Sequence, residues 1–390
     1  MIRKHIKLFR KFLGNIARPR FGWKKKVTKL LKFPYLLIMW PIEVLGDILF
    51  FWKRAKRSAI KDPRRILIVK IDQFGDVLFS TFLLPIIKRK YPNLEIDYLV
   101  NPKTKPLLEK NPHIANVYFW ENILLLSLLG REKAKTGGIF SIIRKNKETL
   151  RLLKARTYDA VINTRSYPPS SNIPWRRIGG PLIAFDISEQ SFLADYWADY
   201  DLDEEEWKNY LNLLRPIGID GTAAECKEEF FNLGKNPMSG KEPYAVISPV
   251  SFDPERQWND ENWKKLIKAM QKKNIGIAVT GIKGHEEYID RLLPEDKKGV
   301  NIFTSLSLPD FGALMAGARF FAGIDSFPAH LAIACGTKAF IFVSPGAYFI
   351  KNLSKKRFAV DARMMIPAIR TATLLDVKIG FEEAEKAITS

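Results

Sequence analysis

An apolar run, a polar loop and an amphipathic stretch recur in that order along most of this chain, and no other pattern constrains its fold more. The runs are Arg65–Ile71, Leu94–Val100, Asn116–Trp120 and Ala160–Asn163, then Tyr244–Ser248, Ile275–Thr280, Asn301–Thr304, Arg319–Ile324 and Ala339–Val343. Short, nearly continuous apolar runs suit strands buried on both faces. Helical spacing fills the intervals at Val77–Lys90, Lys103–Lys110, Ile139–Ala155, Glu261–Lys273, residues 284–293 and Pro309–Ala318. The alternation predicts an α/β protein whose parallel sheets are covered by helices on both faces.

Residues 203–243 interrupt the rhythm: they are acidic, helical near Trp207–Leu214, then rich in Gly, Pro, Lys and Glu. They mark a boundary between two doubly wound, Rossmann-like domains, 61–238 and 239–370. The Gly380–Ile388 pattern within 371–390 reads as a helix that could return to pack on the first domain. At 390 residues and 46% hydrophobic content, the chain can fill both cores.

Open α/β sheets bind ligands outside the carboxyl ends of their strands, and two facing sheets imply a cleft. Asp325-Ser326-Phe327-Pro328-Ala329-His330 stands at one such end, between an apolar strand and a helix that stops at Gly336. Ser326 is placed to cap that helix and Pro328 suits its first turn, so hydroxyl, imidazole and backbone N–H groups converge. Capped helices that bind nothing are common; the functional alternative is an anion site, most naturally for phosphate.

The first strand leads into Asp72-Gln73-Phe74-Gly75-Asp76-Val77. One glycine is too few for a dinucleotide fingerprint, so an NAD site is not supported. Gly75 allows a tight turn, and Asp76 either complements the helix dipole or serves as the general base for an attacking hydroxyl. Asp72 is the competing carboxylate.

Ser251 and Arg256 follow Tyr244–Ser248 and could meet ligand phosphates, unless Arg256 is simply a solvated surface residue. Trp258 and Trp263 read as helix-packing side chains. Lys283 and Glu286, after Ile275–Thr280, could reach a ribose or base. Arg165 and Ser166, with Arg176 and Arg177, could bind an anionic acceptor.

Charge is uneven: residues 1–65 hold 19 Lys and Arg against three acids, which is +16 of the net +21. Within residues 1–60 the basic positions alternate with Ile, Leu, Phe and Trp, as in an interfacial helix. Residues 33–52 contain Pro34, Pro41, Gly46, Glu43 and Asp47 and have basic flanks on both sides, which disfavours a simple span and favours an in-plane or re-entrant anchor. Binding of nucleic acid by this arm is the competing reading, weakened by the aliphatic blocks beside the charge. Cys226 and Cys335 form no paired motif, which argues against a disulfide scaffold or a zinc site and fits a reducing compartment.

Residues 65 to about 345 resemble family 9 glycosyltransferases, the group of the lipopolysaccharide heptosyltransferases. The family's strand and Gly-Asp-Val turn match Arg65–Leu78, which implies Asp76 as catalytic base. Its S-R-x-x-K-x-W-P loop matches Ser251–Asn259, with Arg256 replacing Lys and Asn259 replacing Pro. Its D-S-G-P-x-H-L-A donor-diphosphate motif matches Asp325–Ala332, with Phe327 replacing glycine and adding a ring beside the phosphate site. Gly284 stands near the place where many members carry an acidic residue that reads the nucleoside.

The resemblance implies a GT-B architecture and inverting transfer of heptose or a related sugar from a nucleotide-diphospho-sugar. Asp325, Ser326, Phe327, Pro328, His330, Ser251, Arg256 and Lys283 would surround the donor, with neither metal nor resident cofactor. The acceptor would be a lipid-linked saccharide, such as lipopolysaccharide core, at the cytoplasmic face of the inner membrane. A membrane-surface protein that keeps the fold but has lost turnover is the alternative.

Overall fold

Two six-stranded sheets, parallel throughout, are laid down one after the other along the chain. The computed structural model describes residues 41–50, 58–121, 138–166, 171–201, 204, 206–221, 228–241, 243–250, 258–343 and 365–367. Ser251, Arg256, the basic stretch 1–40 and the expected terminal helix lie outside them.

The helix α1 (41–50) precedes β1 (Arg65–Lys70), α2 (Phe74–Ser80), α3 (Leu83–Lys90), β2 (Glu95–Val100), α4 (Lys105–Leu108), β3 (Asn116–Phe119) and α5 (Gly138–Ala155). Next come β4 (Ala160–Asn163), α6 (Ile173–Arg176), β5 (Leu182–Phe185), β6 (Tyr196–Ala198) and α7 (Glu206–Asn212). The second half runs β7 (Tyr244–Ser248), α8 (Asp260–Lys272), β8 (Gly276–Thr280), α9 (Glu286–Leu292), β9 (Val300–Phe303) and α10 (Leu308–Ala316). It ends with β10 (Phe320–Ile324), α11 (Phe327–Ala334), β11 (Ala339–Val343) and β12 (Met365–Pro367).

The spatial orders are β3-β2-β1-β4-β5-β6 and β12-β11-β10-β7-β8-β9. In each half the chain builds outward over three strands, then returns to the other side of the first. The reversal lies between β1 and β4 in one sheet and between β7 and β10 in the other, with Val69 beside Asn163 and Gly323 beside Ser248. Crevices open at such reversals. The segments carrying Asp76, Ser166 and Ser326 follow β1, β4 and β10.

Alternation sorts the side chains into layers. Leu67 and Val69 face an outer core with Leu153, Tyr158 and Trp175, while Ala245 and Ile247 face another with Trp263, Leu266 and Met270. Ile66 and Ile68 point the other way, into a core that continues through Val77, Leu78 and Phe82 to Val246, Phe321, Ala329 and Leu331 of the second sheet. That shared core holds the two sheets in fixed relation. Trp258 stacks on Phe342 with centroids 4.0 Å apart, and Trp263 is fully buried, so both pack as read.

The expected helix Val77–Lys90 is two helices. Ser80 and Thr81 turn their hydroxyls back onto the carbonyls of Val77 and Leu78, both at 2.7 Å, and Pro85 lacks the N–H that a continuous helix would donate. Strands β5, β6 and β12 are additional to the sequence reading.

Candidate functional site

One pocket takes side chains from both halves: Lys70, Asp72, Asp76, Phe79, Ser166, Glu206 and Tyr210 from the first, and His330 from the second. Asp76 lies in the first turn of α2, where exposed N–H groups favour a carboxylate. His330 is buried one turn into α11.

The two helices approach at Gly75, which is inside α2 rather than in a turn. A Cβ there would stand 3.0 Å from His330 Cδ2 and 3.7 Å from Phe327 Cα. The glycine therefore serves close helix approach, not a special backbone conformation. Phe327 packs beside it, 5.3 Å from the Phe74 ring and 6.5 Å from Phe311. Phe327 thereby gives this chain an aromatic seam between its halves.

Ser326 occupies the N-cap position of α11, but its hydroxyl makes no capping bond and donates instead to Ile324 O at 3.2 Å. This corrects the expectation that its side chain caps the helix. Pro328 stands in the first turn as read, and Asp325 is buried at the end of β10.

Asp72 is held by Lys70 Nζ at 2.9 Å and Arg165 Nε at 2.8 Å. Lys70 also donates to Tyr210 Oη at 2.5 Å. Burial works against the lysine charge, but Asp72, Tyr210 and Asp76 outweigh it and hold the ammonium pKa above the ordinary value. Burial likewise pushes the Tyr210 phenol up. Glu206 accepts from Tyr200 Oη at 2.6 Å and completes this wall.

His330 Nδ1 pairs with Glu228 Oε1 at 2.9 Å, with both residues buried. Burial raises the Glu228 pKa and His330 acts against the rise. Next in the chain, Glu229 N donates to Thr81 Oγ1 at 2.8 Å, while the Glu229 carboxyl sits 3.8 Å from His113 Nε2. Desolvation pushes the Glu229 carboxyl up to about 7. The segment entering the second half thus fixes its histidine against the first.

A raised carboxyl pKa means that the folded state keeps its proton while the unfolded state loses it. Stability from Glu229 is therefore full below the ordinary glutamate range and is lost as pH rises towards 7. Glu229→Gln should remove that slope, raising stability at pH ~8 by roughly 1 kcal/mol, discounted for partial exposure, with little change at pH ~4. Urea denaturation at the two pH values reads the difference, and equal shifts would contradict it.

The four residues read as an acceptor cluster divide. Ser166 lines the pocket, and Arg165 is buried behind it on Asp72. Arg176 pairs with Asp195 Oδ2 at 2.7 Å, and the same oxygen accepts from Leu182 N, at the amino end of β5. That is the opposite edge of the sheet, where a separate groove includes Gly179, Gly180 and Pro181; Arg177 is exposed beside Arg176. Lys283 is exposed in the loop after β8.

Lys70, Phe79, Glu206, Tyr210 and Glu228 were not singled out from sequence. Lys70 left a signal, as the one cation near the end of the apolar run Ile66–Ile71. Glu228 left none, because only folding brings it to His330.

A model of Glycosyltransferase family 9 (heptosyltransferase) matches residues 148–343, half of the chain. The chain belongs to glycosyltransferase family 9. Lipopolysaccharide heptosyltransferase 3 of Escherichia coli is 25% identical to this family 9 member over 284 residues, 66% of this chain and 76% of the relative. Lipopolysaccharide heptosyltransferase 1 of the same species is 24% identical over 194 residues, 47% of this chain and 59% of the relative.

Among solved structures, Escherichia coli heptosyltransferase WaaC with ADP-2-deoxy-2-fluoro heptose aligns with TM-score 0.64 at 19% identity, covering 83% of this chain and 99% of that one. A family 9 glycosyltransferase from Veillonella parvula aligns with TM-score 0.65 at 16% identity, covering 84% and 97%. The architecture of this family 9 glycosyltransferase is therefore GT-B. The Asp76 turn precedes the residues matched by the family model, so the pocket itself ties that turn to the rest of the site.

Proposed function

We propose that this family 9 glycosyltransferase moves heptose or a related sugar, with inversion, from a nucleotide-diphospho-sugar to a lipid-linked saccharide such as lipopolysaccharide core. The observation that carries the reading is that Asp76 and His330, from helices after reversal strands of different sheets, line one pocket. The names of the curated relatives supply the substrate class.

In the proposed step an acceptor hydroxyl attacks the anomeric carbon from the face opposite the diphosphate. Asp76 takes the hydroxyl proton as the new C–O bond forms, the bond to the diphosphate oxygen breaks, and its electron pair leaves with the nucleotide. Negative charge then grows where the N–H groups of α11 and the His330 side chain are gathered, with Ser251 and Arg256 assigned to the same diphosphate. Asp76 is preferred to Asp72 because the first turn of α2 fixes it at the carboxyl end of β1 and on the pocket wall. The reading invokes no metal or resident cofactor. Lys283 is assigned to the nucleoside end and Ser166 to the acceptor, at the cytoplasmic face of the inner membrane.

The test is a thermal-shift panel of ADP-, UDP-, GDP- and dTDP-sugars on the full chain, followed by transfer to lipid-linked saccharide with anomeric assignment by NMR. One stabilising donor and an inverted product are expected. A retained anomeric configuration, or no transfer from any donor, would overturn the reading.

A further inference from the structure

Helix α1 is amphipathic in the reverse of the usual sense. Its exposed positions are Pro41, Ile42, Leu45, Ile48 and Leu49, with the four large side chains 42%, 57%, 54% and 58% accessible. Its two acids face inward, Glu43 at 6% and Asp47 at 0% exposure. A surface helix ordinarily turns its charges to water and its apolar stripe to the core. Here the inward face is fastened to the first half of the protein: Glu43 accepts from Gln190 N, Phe192 lies over Gly46, and Phe50 stacks on Phe192 at 5.9 Å. Gly46 is needed because a Cβ would enter the Phe192 ring.

We propose that the outward face of α1 is a membrane-docking surface, seated at the headgroup–acyl boundary of an anionic bilayer. Three observations choose this occupant. The face carries only apolar side chains, which gain by leaving water. The sequence on either side is strongly basic, with 19 Lys and Arg against three acids over residues 1–65, and so complements anionic headgroups. The inward face, with Glu43 and Asp47, is fastened along the protein at Gln190 and Phe192, so the described helix offers a bilayer one face only and would lie in the plane of the interface rather than across it. Among the described residues no helix is long and apolar enough to cross a membrane.

The placement gives the surface a purpose. Gln190 and Phe192, on which α1 rests, belong to the loop after β5, and Ser188 of that loop donates to Arg165 O at 2.8 Å, next to the pocket residue Ser166. Docking through α1 would set the acceptor side of the pocket beside the membrane, where a lipid-linked saccharide presents its sugar. This deepens the transferase reading and rests on it for what the membrane delivers.

The experiment is flotation of the full chain with vesicles of phosphatidylethanolamine and phosphatidylglycerol, at high salt so that attraction to the basic stretches is screened. Replacing Ile42, Leu45, Ile48 and Leu49 together by Gln should lower vesicle partitioning by about 100-fold or more, with donor hydrolysis in solution unchanged. If that variant does not fold, Leu45→Gln and Leu49→Gln taken singly should each lower it by roughly fivefold or more. Partitioning equal to the parent would overturn the proposal. So would a dimer in sedimentation velocity that the variants dissociate while vesicle binding stays intact, because the face would then belong to a second copy. A chain that needs this face for vesicles yet transfers no sugar would leave the surface standing and remove only the transferase reading.

Discussion

Replacing Asp76 by Asn is expected to lower kcat by about 10²- to 10⁴-fold, the usual worth of a positioned general base, while donor affinity stays within about threefold. The amide keeps the shape and hydrogen-bonding reach of the carboxylate but cannot accept the proton released as the acceptor hydroxyl attacks. Asp76 is on the α2 side of the pocket, whereas the groups assigned to the donor diphosphate belong to the second half, so nucleotide binding should hardly register the change. Asp72→Asn should behave differently. Its carboxylate joins Lys70 to Arg165, and removing that charge leaves two buried cations facing each other. The expected result is loss of folding stability by roughly 3 kcal/mol or more, with kcat per folded molecule falling less than in Asp76→Asn. Steady-state kinetics, donor titration and urea denaturation on both variants separate the roles. Full turnover in Asp76→Asn would remove Asp76 from the mechanism.

Strands with long apolar runs were legible because burial on both faces leaves a run that little else produces: Arg65–Ile71 contains β1, and Ala339–Val343 coincides with β11. Leu182–Phe185 and Tyr196–Ala198 were not, because the only element between them is the short turn Ser191–Leu193, so the alternation of apolar run and amphipathic stretch that marks the other strands is missing there. Their places in the sheet come from pairing with β4 and with each other. The lining of the candidate pocket was legible near strand ends, as at Asp76, Ser166 and His330. It was illegible where it depends on approach between elements remote in sequence. Gly75 reads as a turn residue in one dimension and proves to be clearance for His330 in three. Arg176 has the charge expected of an acceptor ligand, yet α6 carries it to the amino edge of the sheet, onto Asp195. Charge is visible in a sequence, but the edge to which a short helix delivers it is not.

The pair Glu228–His330 should show the second large effect. His330→Ala leaves the Glu228 carboxyl buried without its partner, and removing one member of such a pair costs about 3–5 kcal/mol. The carboxyl cannot recover by reaching water, since Glu228 is 6% exposed. It can relieve the charge by holding a proton, the direction in which burial already pushes it, so the cost should grow as pH rises. Glu228→Gln in the His330→Ala background removes the charge itself and should recover roughly half of the loss or more, giving a coupling energy of about 1.5 kcal/mol or more in a double-mutant cycle. Stability alone would not distinguish a structural pair from one that aims the ring. Glu228→Gln by itself supplies that distinction, because the amide oxygen can still accept from Nδ1–H while the charge that stabilises imidazolium is gone. If Glu228 orients and charges His330 for the leaving diphosphate, this variant should stay folded, bind nucleoside diphosphate several-fold more weakly, and show its largest deficit at the upper end of the pH profile. Nucleotide affinity equal to the parent across the profile would make the pair a structural tie between the two halves.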